Sequence, residues 1–399
     1  MSSTEGTVGL SVKPYAGVGI AAGWPWRQGN QFQLLADSDR IFGRMLEAIA
    51  AARESVLLEM YLVESGAVVR RFIDALAERA QGGIRVHVLF DGFGALGLRA
   101  ADRRRLAASG AHLTFFNPLS WRKRLQNCLR DHRKLLVIDG ALAFVGGVGL
   151  ADEFIDGKRG HRAWRDLMLE ISGPVVSDWQ SAFARSWGRS RGWPEVPEAT
   201  PEPPDERAIA AGAIGRLALS EAGHRSILAN DVVRHINGAL HRAWIMSAYF
   251  VPSRRFRKAL RRAARRGIDV RLLVPGSKTD HPWVRHAARR FYGKMLRNGV
   301  RIFEYQPRVL HGKMVLCDDW VSLGSSNLDR WSFRWNLEAN QEIESAAFAA
   351  QLAAIFAADC NASQELSRRH WRRRAILDRW RERIAGALDR ILDRWRRPR

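Results

Sequence analysis

The sequence predicts an α/β protein built from two duplicated α/β/α domains, packed in pseudo-two-fold symmetry and followed by an amphipathic C-terminal helix. Three observations support this fold class. Two segments of the chain repeat each other, apolar strands alternate with amphipathic helices in both, and 46% of the 399 residues are apolar. That apolar share is enough for a sizeable core, and the length allows two or three domains.

The repeat is clearest between residues 72–92, "FIDALAERAQGGIRVHVLFDG", and residues 256–276, "FRKALRRAARRGIDVRLLVPG". The two stretches align without gaps. Each holds an amphipathic helix that should stop at a glycine, Gly83 or Gly267, directly before an apolar strand. A repeat of this size indicates a duplicated domain and not a solenoid of short units.

Each half has the same predicted order of elements. A first apolar strand ends near a tyrosine, which pairs Tyr61 with Tyr249 in the repeat. The helix, a second strand, another helical stretch, a third strand, a motif strand and its hairpin partner follow. Such alternation implies βαβ units and a mainly parallel sheet with helices on both faces. The predicted strands are 56–63, 84–90 and 111–116 in the first half, and 243–251, 268–274 and 300–305 in the second.

Proline is too dense in "GWPEVPEATPEPPDER", residues 192–207, for a helix or a central strand. We place the domain boundary in this linker. The predicted organisation is an N-terminal segment at 1–29, a first domain at 30–191, the linker at 192–207, a second domain at 208–365 and a basic tail at 366–399.

The formal charge is +23, from 64 Lys plus Arg against 41 Asp plus Glu. This excess indicates an anionic partner, which could be nucleic acid, lipid headgroups or a phosphate substrate. The three cysteines are far apart, without metal-type spacing, and fit a reducing cytosol. No secretory signal and no membrane-spanning apolar stretch is visible.

The stretches "HRKLLVID" and "HGKMVLCD" carry the chemistry. The period of two places His132 and Lys134 on one face of a strand, and His311 and Lys313 on one face of another. A single copy would favour an edge strand with polar residues facing solvent, since a lysine is rarely buried without a partner. Two copies at equivalent places in a duplicated domain favour a catalytic site, because sheet packing does not require them.

The repeated pattern His-x-Lys-x-x-x-x-Asp resembles the phospholipase D superfamily. The phrases "YFVPSRRF", "GSSNLDRWSF" and "NLEAN" look like bacterial cardiolipin synthases of the type without N-terminal transmembrane helices. The resemblance covers about residues 30–365. It implies the duplicated fold, a phosphodiester substrate and a mechanism that needs no metal or other cofactor. The paired motif is more specific for the superfamily than for the substrate.

In this superfamily the first-motif histidine acts as nucleophile and the second as acid and base, which implies those roles for His132 and His311. The lysines would hold the phosphate oxygens and offset the charge of the transition state. The motif aspartates complete the candidate catalytic set, although their place along the strand favours a structural role. The residues of the motifs are His132, Lys134, Asp139, His311, Lys313 and Asp318.

The family also has a carboxylate that holds the other ring nitrogen of each histidine, and the candidates here are Asp166 and Glu338. For Glu338 an exposed strand residue is the alternative. The hairpins "FVGGVGLADEF" and "SLGSSNLDRWSF" would bring backbone close to a phosphate, or simply turn tightly. Gly149 stands where the family usually has Asn, and the second hairpin has one residue fewer. The candidate phosphate-binding residues are Gly147, Ser325 and Asn327.

The tail from Arg368 holds thirteen arginines and four acidic residues. Its apolar residues recur every three or four positions, so one stripe runs along a helix. Tryptophans and arginines around that stripe favour a helix lying in an anionic membrane interface, over one that packs its stripe on the core. The stripe comprises Leu377, Trp380, Ile384, Leu388, Ile391 and Trp395.

We therefore expect a phosphatidyltransferase that forms cardiolipin from phosphatidylglycerol, peripheral to the cytoplasmic face of a bacterial inner membrane. Its expected partners are the anionic phospholipids phosphatidylglycerol and cardiolipin. A hydrolase or nuclease of the same superfamily is the alternative; the charge favours a nuclease, but the arginine-rich amphipathic tail makes nucleic acid the weaker partner. A scaffold with a vestigial site is disfavoured by two intact motifs.

Overall fold

A computed structural model of the chain describes residues 23–157, 162–191, 212–221, 227–329 and 332–395. They form a 16-stranded sheet with helices on both faces. The predicted linker at 192–207 and most of the predicted N-terminal segment lie outside the described residues. Within the described ranges, no helix is both long and apolar enough to cross a membrane.

The strands occur in two successions of the same plan, one in each half of the chain. In chain order the strands are β1 Arg27–Leu35, β2 Ser55–Met60, β3 Arg85–Asp91, β4 His112–Phe116, β5 Arg130–Asp131, β6 Lys134–Ile138, β7 Leu142–Gly146, β8 Met168–Ser172, β9 Ala213–Ser220, β10 Arg242–Ser247, β11 Asp269–Pro275, β12 Arg301–Tyr305, β13 Lys313–Cys317, β14 Trp320–Gly324, β15 Asn336–Glu344 and β16 Ser363–Glu365.

The helices connect these strands and close the chain. The described α-helices are α1 Ser38–Ala51, α2 Ala67–Gln81, α3 Ala100–Ala108, α4 Val175–Arg191, α5 Ile227–Gly238, α6 Arg254–Arg265, α7 Pro282–Arg289, α8 Tyr292–Leu296, α9 Ser332–Trp335, α10 Ala346–Asn361, α11 Arg368–Arg373 and α12 Ile376–Trp395, and 3₁₀ turns cover Trp121–Cys128 and Asp152–Phe154.

The order of the strands shows the duplication directly. Across the sheet it is β16-β12-β11-β10-β13-β14-β15-β9-β1-β8-β7-β6-β2-β3-β4. Reading outward from the central β9–β1 pair, each half repeats the same sequence of strands, and the second half adds the edge strand β16. β1 and β9 pair antiparallel with an irregular register, Arg27 opposite Gly215 and Asn30 opposite Ala213. An antiparallel central pair between equivalent strands is what a pseudo-two-fold axis requires.

The sheet is less parallel than the alternation of strands and helices implied. Parallel pairing joins β2–β3–β4, β10–β11–β12 and the short β5 with the start of β15, while the motif strands and their hairpin partners pair antiparallel. The reason lies in the connections. A crossover helix returns the chain in the same direction, whereas the short turns after β6 and β13 reverse it.

The repeated helices end as the sequence predicted. Helix α2 ends at Gln81 and α6 at Arg265, and the glycines that follow take left-handed backbone angles, φ 84° at Gly83 and φ 89° at Gly267. Glycine adopts this conformation without the steric cost that a Cβ atom would bring. In each half the chain then enters a buried strand of the sheet, β3 or β11.

Three clusters of apolar side chains hold the elements together. On one face α1 and α2 pack on the first half of the sheet, and α5 and α6 pack on the second half. On the opposite face α4 and α10 pack on a single core that contains strands of both halves. The two halves are therefore joined by a shared core as well as by the β1–β9 pair.

The C-terminal helix α12 packs on α7 through a face of small residues. Ala385 is fully buried in a cluster with Val251 and Ala287. Glu382 accepts a hydrogen bond from Arg289 Nε at 3.2 Å, which anchors the helix. This contact face lies beside the predicted apolar stripe and does not include its described residues.

Candidate active site

Both His-x-Lys motifs reach one cavity. The two lysines begin β6 and β13, so His132 and His311 lie just before the two strands. A cavity of about 940 Å³ is lined by residues of both halves, among them His132, Lys134 and His311. Both histidines are buried, with 8% and 6% of their surfaces exposed. The edge-strand alternative is therefore wrong for these residues.

The carboxylate that holds each histidine comes from the opposite half. His132 Nδ1 lies 3.0 Å from Glu338 Oε2, and His311 Nδ1 lies 2.6 Å from Asp166 Oδ2. Glu338 is fully buried, so the exposed-strand alternative for this residue is wrong. The family resemblance implied these two carboxylates as candidates, and the structure places each of them beside the histidine of the opposite half.

Backbone pairing sets up this exchange. The short strand β5 runs parallel to the start of β15, and His132 N donates to Leu337 O at 3.0 Å. In the other half, His311 N donates to Arg165 O at 2.7 Å. Each motif is thus tied to the opposite half immediately beside its histidine, and the imidazole direction follows from the main chain.

The hydrogen bonds assign the ring nitrogens. An ionised carboxylate can only accept, so Nδ1 of each histidine carries the proton and Nε2 keeps its lone pair. Burial lowers the pKa of His132 to about 4 and also lowers the pKa of His311. Both imidazoles are therefore neutral at neutral pH before a substrate binds.

The carboxylates remain ionised although they are buried. Burial raises the pKa of Glu338, but the nearby His132 and Lys134 and the Ser325 hydroxyl outweigh it and lower the pKa overall. Burial likewise raises the pKa of Asp166, and Lys313 and His311 reverse the effect. The site therefore holds two fixed negative charges directly behind the imidazoles.

Both lysines donate to the backbone carbonyl of their own histidine, and their other neighbours differ. Lys134 Nζ donates to His132 O at 2.7 Å and lies 5.1 Å from the centre of the Tyr61 ring. Lys313 Nζ lies 3.0 Å from Nδ1 and 3.3 Å from Nε2 of His311. Burial lowers the pKa of Lys134 to about 7 and lowers the pKa of Lys313. A bound phosphate would offset that burial and favour both ammonium forms.

The hairpin residues divide into two groups. Gly147 and Asn327 line the cavity. Ser325 acts elsewhere, because its Oγ donates to Glu338 Oε2 at 2.6 Å and so fixes the carboxylate. At the position of Gly147, an added Cβ would lie 2.3 Å from Asp166 Oδ1. Glycine there admits the carboxylate of the first half.

The motif aspartates lie at the far end of their strands and contact backbone. Both have a φ of 51°, in the turn after the strand. Asp139 accepts the N–H groups of Arg53, Glu54 and Ser55, at 2.8 to 2.9 Å. Asp318 accepts three equivalent N–H groups at the start of β10. Neither aspartate lines the cavity, so the geometry gives both a structural part.

We predict that Asp318→Ala lowers the free energy of unfolding by about 2 kcal/mol, since three backbone donors lose a charged acceptor that is partly exposed to solvent. Asp318→Asn is the control, because it keeps one acceptor oxygen and tolerates the left-handed φ. Urea unfolding followed by circular dichroism measures both. An equal loss in the two variants would contradict the assignment.

Several cavity residues were not among the candidates. Tyr61 lies with its ring centre 4.6 Å from that of His132, and Tyr249 lies 6.1 Å from His311. The Tyr249 hydroxyl donates to Asp280, which also lines the cavity. Trp164 lies 5.3 Å from His311. The pairing of Tyr61 with Tyr249 in the repeat was the available signal, whereas Asp280 and Trp164 lie outside the repeated stretches.

The chain matches a family model and curated relatives. The family described as "Cardiolipin synthase, PLD-like domain" matches residues 45–187 and 232–360. Cardiolipin synthase B of Salmonella typhimurium is 34% identical, and the match covers 87% of this chain and 86% of that protein. Cardiolipin synthase A of Pseudomonas putida strain W619 is also 34% identical, over 86% of this chain and 71% of that protein.

Solved structures support the fold. The phosphatidylserine synthase of Haemophilus influenzae superposes with a TM-score of 0.68 at 13% identity, covering 91% of this chain and 93% of that one. Polyphosphate kinase of Porphyromonas gingivalis superposes with a TM-score of 0.55 over 82% of this chain. The family match, the identity over most of both chains and the duplicated fold agree with the resemblance seen in the sequence: the chain belongs to the cardiolipin synthase family of phospholipase D-like enzymes.

Proposed function

We propose that this protein is a phosphatidyltransferase that forms cardiolipin from two molecules of phosphatidylglycerol. The observation that carries the proposal is the pair of buried imidazoles in one cavity, each held at Nδ1 by a carboxylate of the opposite half. Two imidazoles whose Nε2 atoms carry no proton match a reaction that breaks one phosphorus–oxygen bond and forms another.

In the first step His132 Nε2 attacks the phosphorus of phosphatidylglycerol. The phosphorus–oxygen bond to the glycerol headgroup breaks, and His311 gives a proton to the departing oxygen. Glycerol leaves, and the phosphatidyl group stays on His132. The low pKa of His311 rises as the phosphate charge enters the site, because a nearby anion favours the imidazolium. Asp166 stabilises that imidazolium from behind.

In the second step the hydroxyl of another phosphatidylglycerol takes the place of the departed glycerol. His311 accepts the hydroxyl proton, the oxygen attacks phosphorus, and the bond between phosphorus and His132 breaks. Cardiolipin forms and both imidazoles return to their starting state. Lys134 and Lys313 offset the negative charge on the phosphate oxygens in both steps. Water as the acceptor would produce phosphatidic acid instead.

The direct test is incubation of the purified protein with phosphatidylglycerol vesicles, followed by mass spectrometry of the lipids. We expect cardiolipin and free glycerol in equal amounts. Phosphatidic acid without cardiolipin would establish the hydrolase alternative. Cleavage of DNA without lipid turnover would establish the nuclease alternative.

The pH dependence of kcat/KM provides a further prediction. Lys134 has a pKa of about 7 in the empty site, so its charge is present below that pH and is lost above it. His132, with a pKa of about 4, becomes protonated and loses its nucleophile only below that pH. His311 must be protonated to act as the acid, and burial lowers its pKa. We expect kcat/KM to be highest between the pKa values of His132 and His311, to fall by about tenfold per pH unit above the pKa of His311, and to fall by about a hundredfold per pH unit once Lys134 also loses its charge.

Lys134→Arg separates this effect from others, because arginine keeps its charge throughout the range. The variant should be slower overall, and its kcat/KM should fall by only about tenfold per pH unit across the whole alkaline range, because only His311 still loses a proton there. An unchanged alkaline fall in Lys134→Arg would assign it to another group.

We further propose that the protein binds peripherally to a membrane, at the cytoplasmic face of the bacterial inner membrane. The described part of the predicted apolar stripe is exposed on α12, at 69% for Leu377, 55% for Trp380 and 53% for Ile384. The helix packs on α7 through its other side, so the stripe is free to enter a lipid interface. The residues Leu388, Ile391 and Trp395 have no described side chains.

Replacing Leu377, Trp380 and Ile384 with serine should therefore reduce vesicle binding. We expect a decrease of about tenfold or more in the partition of the protein to phosphatidylglycerol vesicles, because three apolar side chains no longer leave water. Cosedimentation measures this, and an unchanged melting temperature shows that the core is intact. Full binding by the triple variant would contradict the assignment of the helix.

The domain organisation belongs to the same proposal. The two phospholipase D-like domains are 30–191 and 208–365, joined by the linker at 192–207 and followed by the basic tail at 366–399. Crosswise pairing of the histidines and the shared core support a site that requires both domains.

A further inference from the structure

One loop of the first half presents large apolar side chains to solvent. The rim loop, residues 117–128, connects β4 to β5 and has no counterpart of similar length between β12 and β13. Trp121 is 84% exposed and Leu125 is 57% exposed. Such a display of large apolar side chains marks an interaction surface when it is contiguous and fixed in place.

The rim loop is fixed by its own hydrogen bonds. Asn117 Nδ2 donates to the carbonyls of Gln126 and Leu129, both at 2.8 Å. Asn127 and Ser120 bind each other twice, through a backbone N–H at 3.1 Å and a carbonyl at 2.7 Å. These bonds close the base of the loop and hold its tip outward. These hydrogen bonds therefore keep Trp121 and Leu125 exposed to solvent.

The loop also forms part of the mouth of the cavity. Asn127 and Cys128 line the cavity, as do Phe93 from the neighbouring loop and Trp283 from α7. Phe93 is 48% exposed and Trp283 is 42% exposed. Helix α12 packs on α7. Exposed apolar side chains from both halves thus surround the opening through which the substrate phosphate reaches the histidines.

We propose that the rim loop inserts into an anionic lipid surface and, together with α12, turns the mouth of the cavity towards the bilayer. The exposed Arg122 and Arg124 flank the apolar tip and complement anionic headgroups. A lipid with its acyl chains in the bilayer can reach the histidines only from that side. A second copy of this strongly basic chain fits less well, because the same arginines would face each other.

This inference rests on the proposed function for its purpose, although its test does not depend on turnover. The full-length variant Trp121→Ser/Leu125→Ser is compared with Leu240→Ser. Leu240 is a matched control, since it is 74% exposed and lies next to Asp318, at the end of the sheet away from the cavity. The probe is cosedimentation with vesicles of phosphatidylglycerol and phosphatidylcholine.

We expect the double variant to bind the vesicles at least about tenfold more weakly, and Leu240→Ser to bind normally. Turnover of short-chain phosphatidylglycerol below its micelle concentration should be equal in all three proteins. Unchanged vesicle binding in the double variant would overturn the inference. The inference would also be overturned if analytical ultracentrifugation showed the unaltered protein as a dimer and the double variant as a monomer. That result would identify a second copy of the chain as the partner of the loop. If the vesicle binding of the three proteins came out as expected but none of them turned over lipid, the proposed function would be refuted and this inference would stand.

Discussion

His132→Ala is expected to reduce phosphatidyl transfer by about four orders of magnitude or more, since no other group of the site can take over the covalent step. The variant should fold, because Glu338 keeps its hydrogen bonds from Ser325 Oγ at 2.6 Å and from Asn336 Nδ2 at 3.1 Å. Cardiolipin produced from phosphatidylglycerol vesicles measures the loss, and the melting temperature controls for folding.

A lipid with a better leaving group separates the two histidines. Phosphatidyl-p-nitrophenol releases a phenolate that needs no proton at neutral pH, so the first step no longer needs an acid. We expect His311→Ala to release one equivalent of nitrophenol in a burst and to carry the phosphatidyl group on His132. His132→Ala should show no burst. The reverse result would exchange the roles of the two histidines.

The second large effect is expected from the crosswise carboxylates. Glu338→Gln should lower turnover by about two to four orders of magnitude, because the amide can present its NH₂ group to Nδ1 and so reverse the tautomer of His132. Asp166→Asn should do the same to His311. With phosphatidyl-p-nitrophenol, Glu338→Gln should lose the burst, as His132→Ala does, while Asp166→Asn should keep it.

The same strand offers a control for this prediction. Glu344→Gln makes the identical change at the exposed end of β15. Turnover should stay near that of the unaltered protein. If Glu338→Gln lost its effect on the burst while Asp166→Asn abolished it, each carboxylate would act within its own half and the crosswise assignment would be wrong.

The repeated elements were predictable because their signals are local. A glycine after an amphipathic helix and the period of two in a buried strand act over a few residues, and Gly83 and Gly267 lie where that logic places them. The exposed stripe on α12 follows from the same kind of pattern. The carboxylates Asp166 and Glu338 required the family resemblance as well.

The remaining features depend on contacts between distant parts of the chain. No local pattern shows that Glu338 pairs with His132, 206 positions away. The alternation of strands and helices predicts a mainly parallel sheet, whereas the short turns after β6 and β13 reverse the chain and make the motif strands antiparallel to their neighbours. Tyr249 and Asp280 meet near His311 only once the second half has folded.

The crosswise pairing ties the evolution of the two halves together. A half that drifted alone would damage the partner's imidazole and not its own, so the duplicated copies are bound to change in concert. Cutting the chain between the halves would leave each fragment with a histidine that lacks its carboxylate and a carboxylate that lacks its histidine. Mixing two inactive variants, one altered at His132 and one at His311, would restore activity only if the molecules exchanged halves. An unaltered first half would then pair with an unaltered second half.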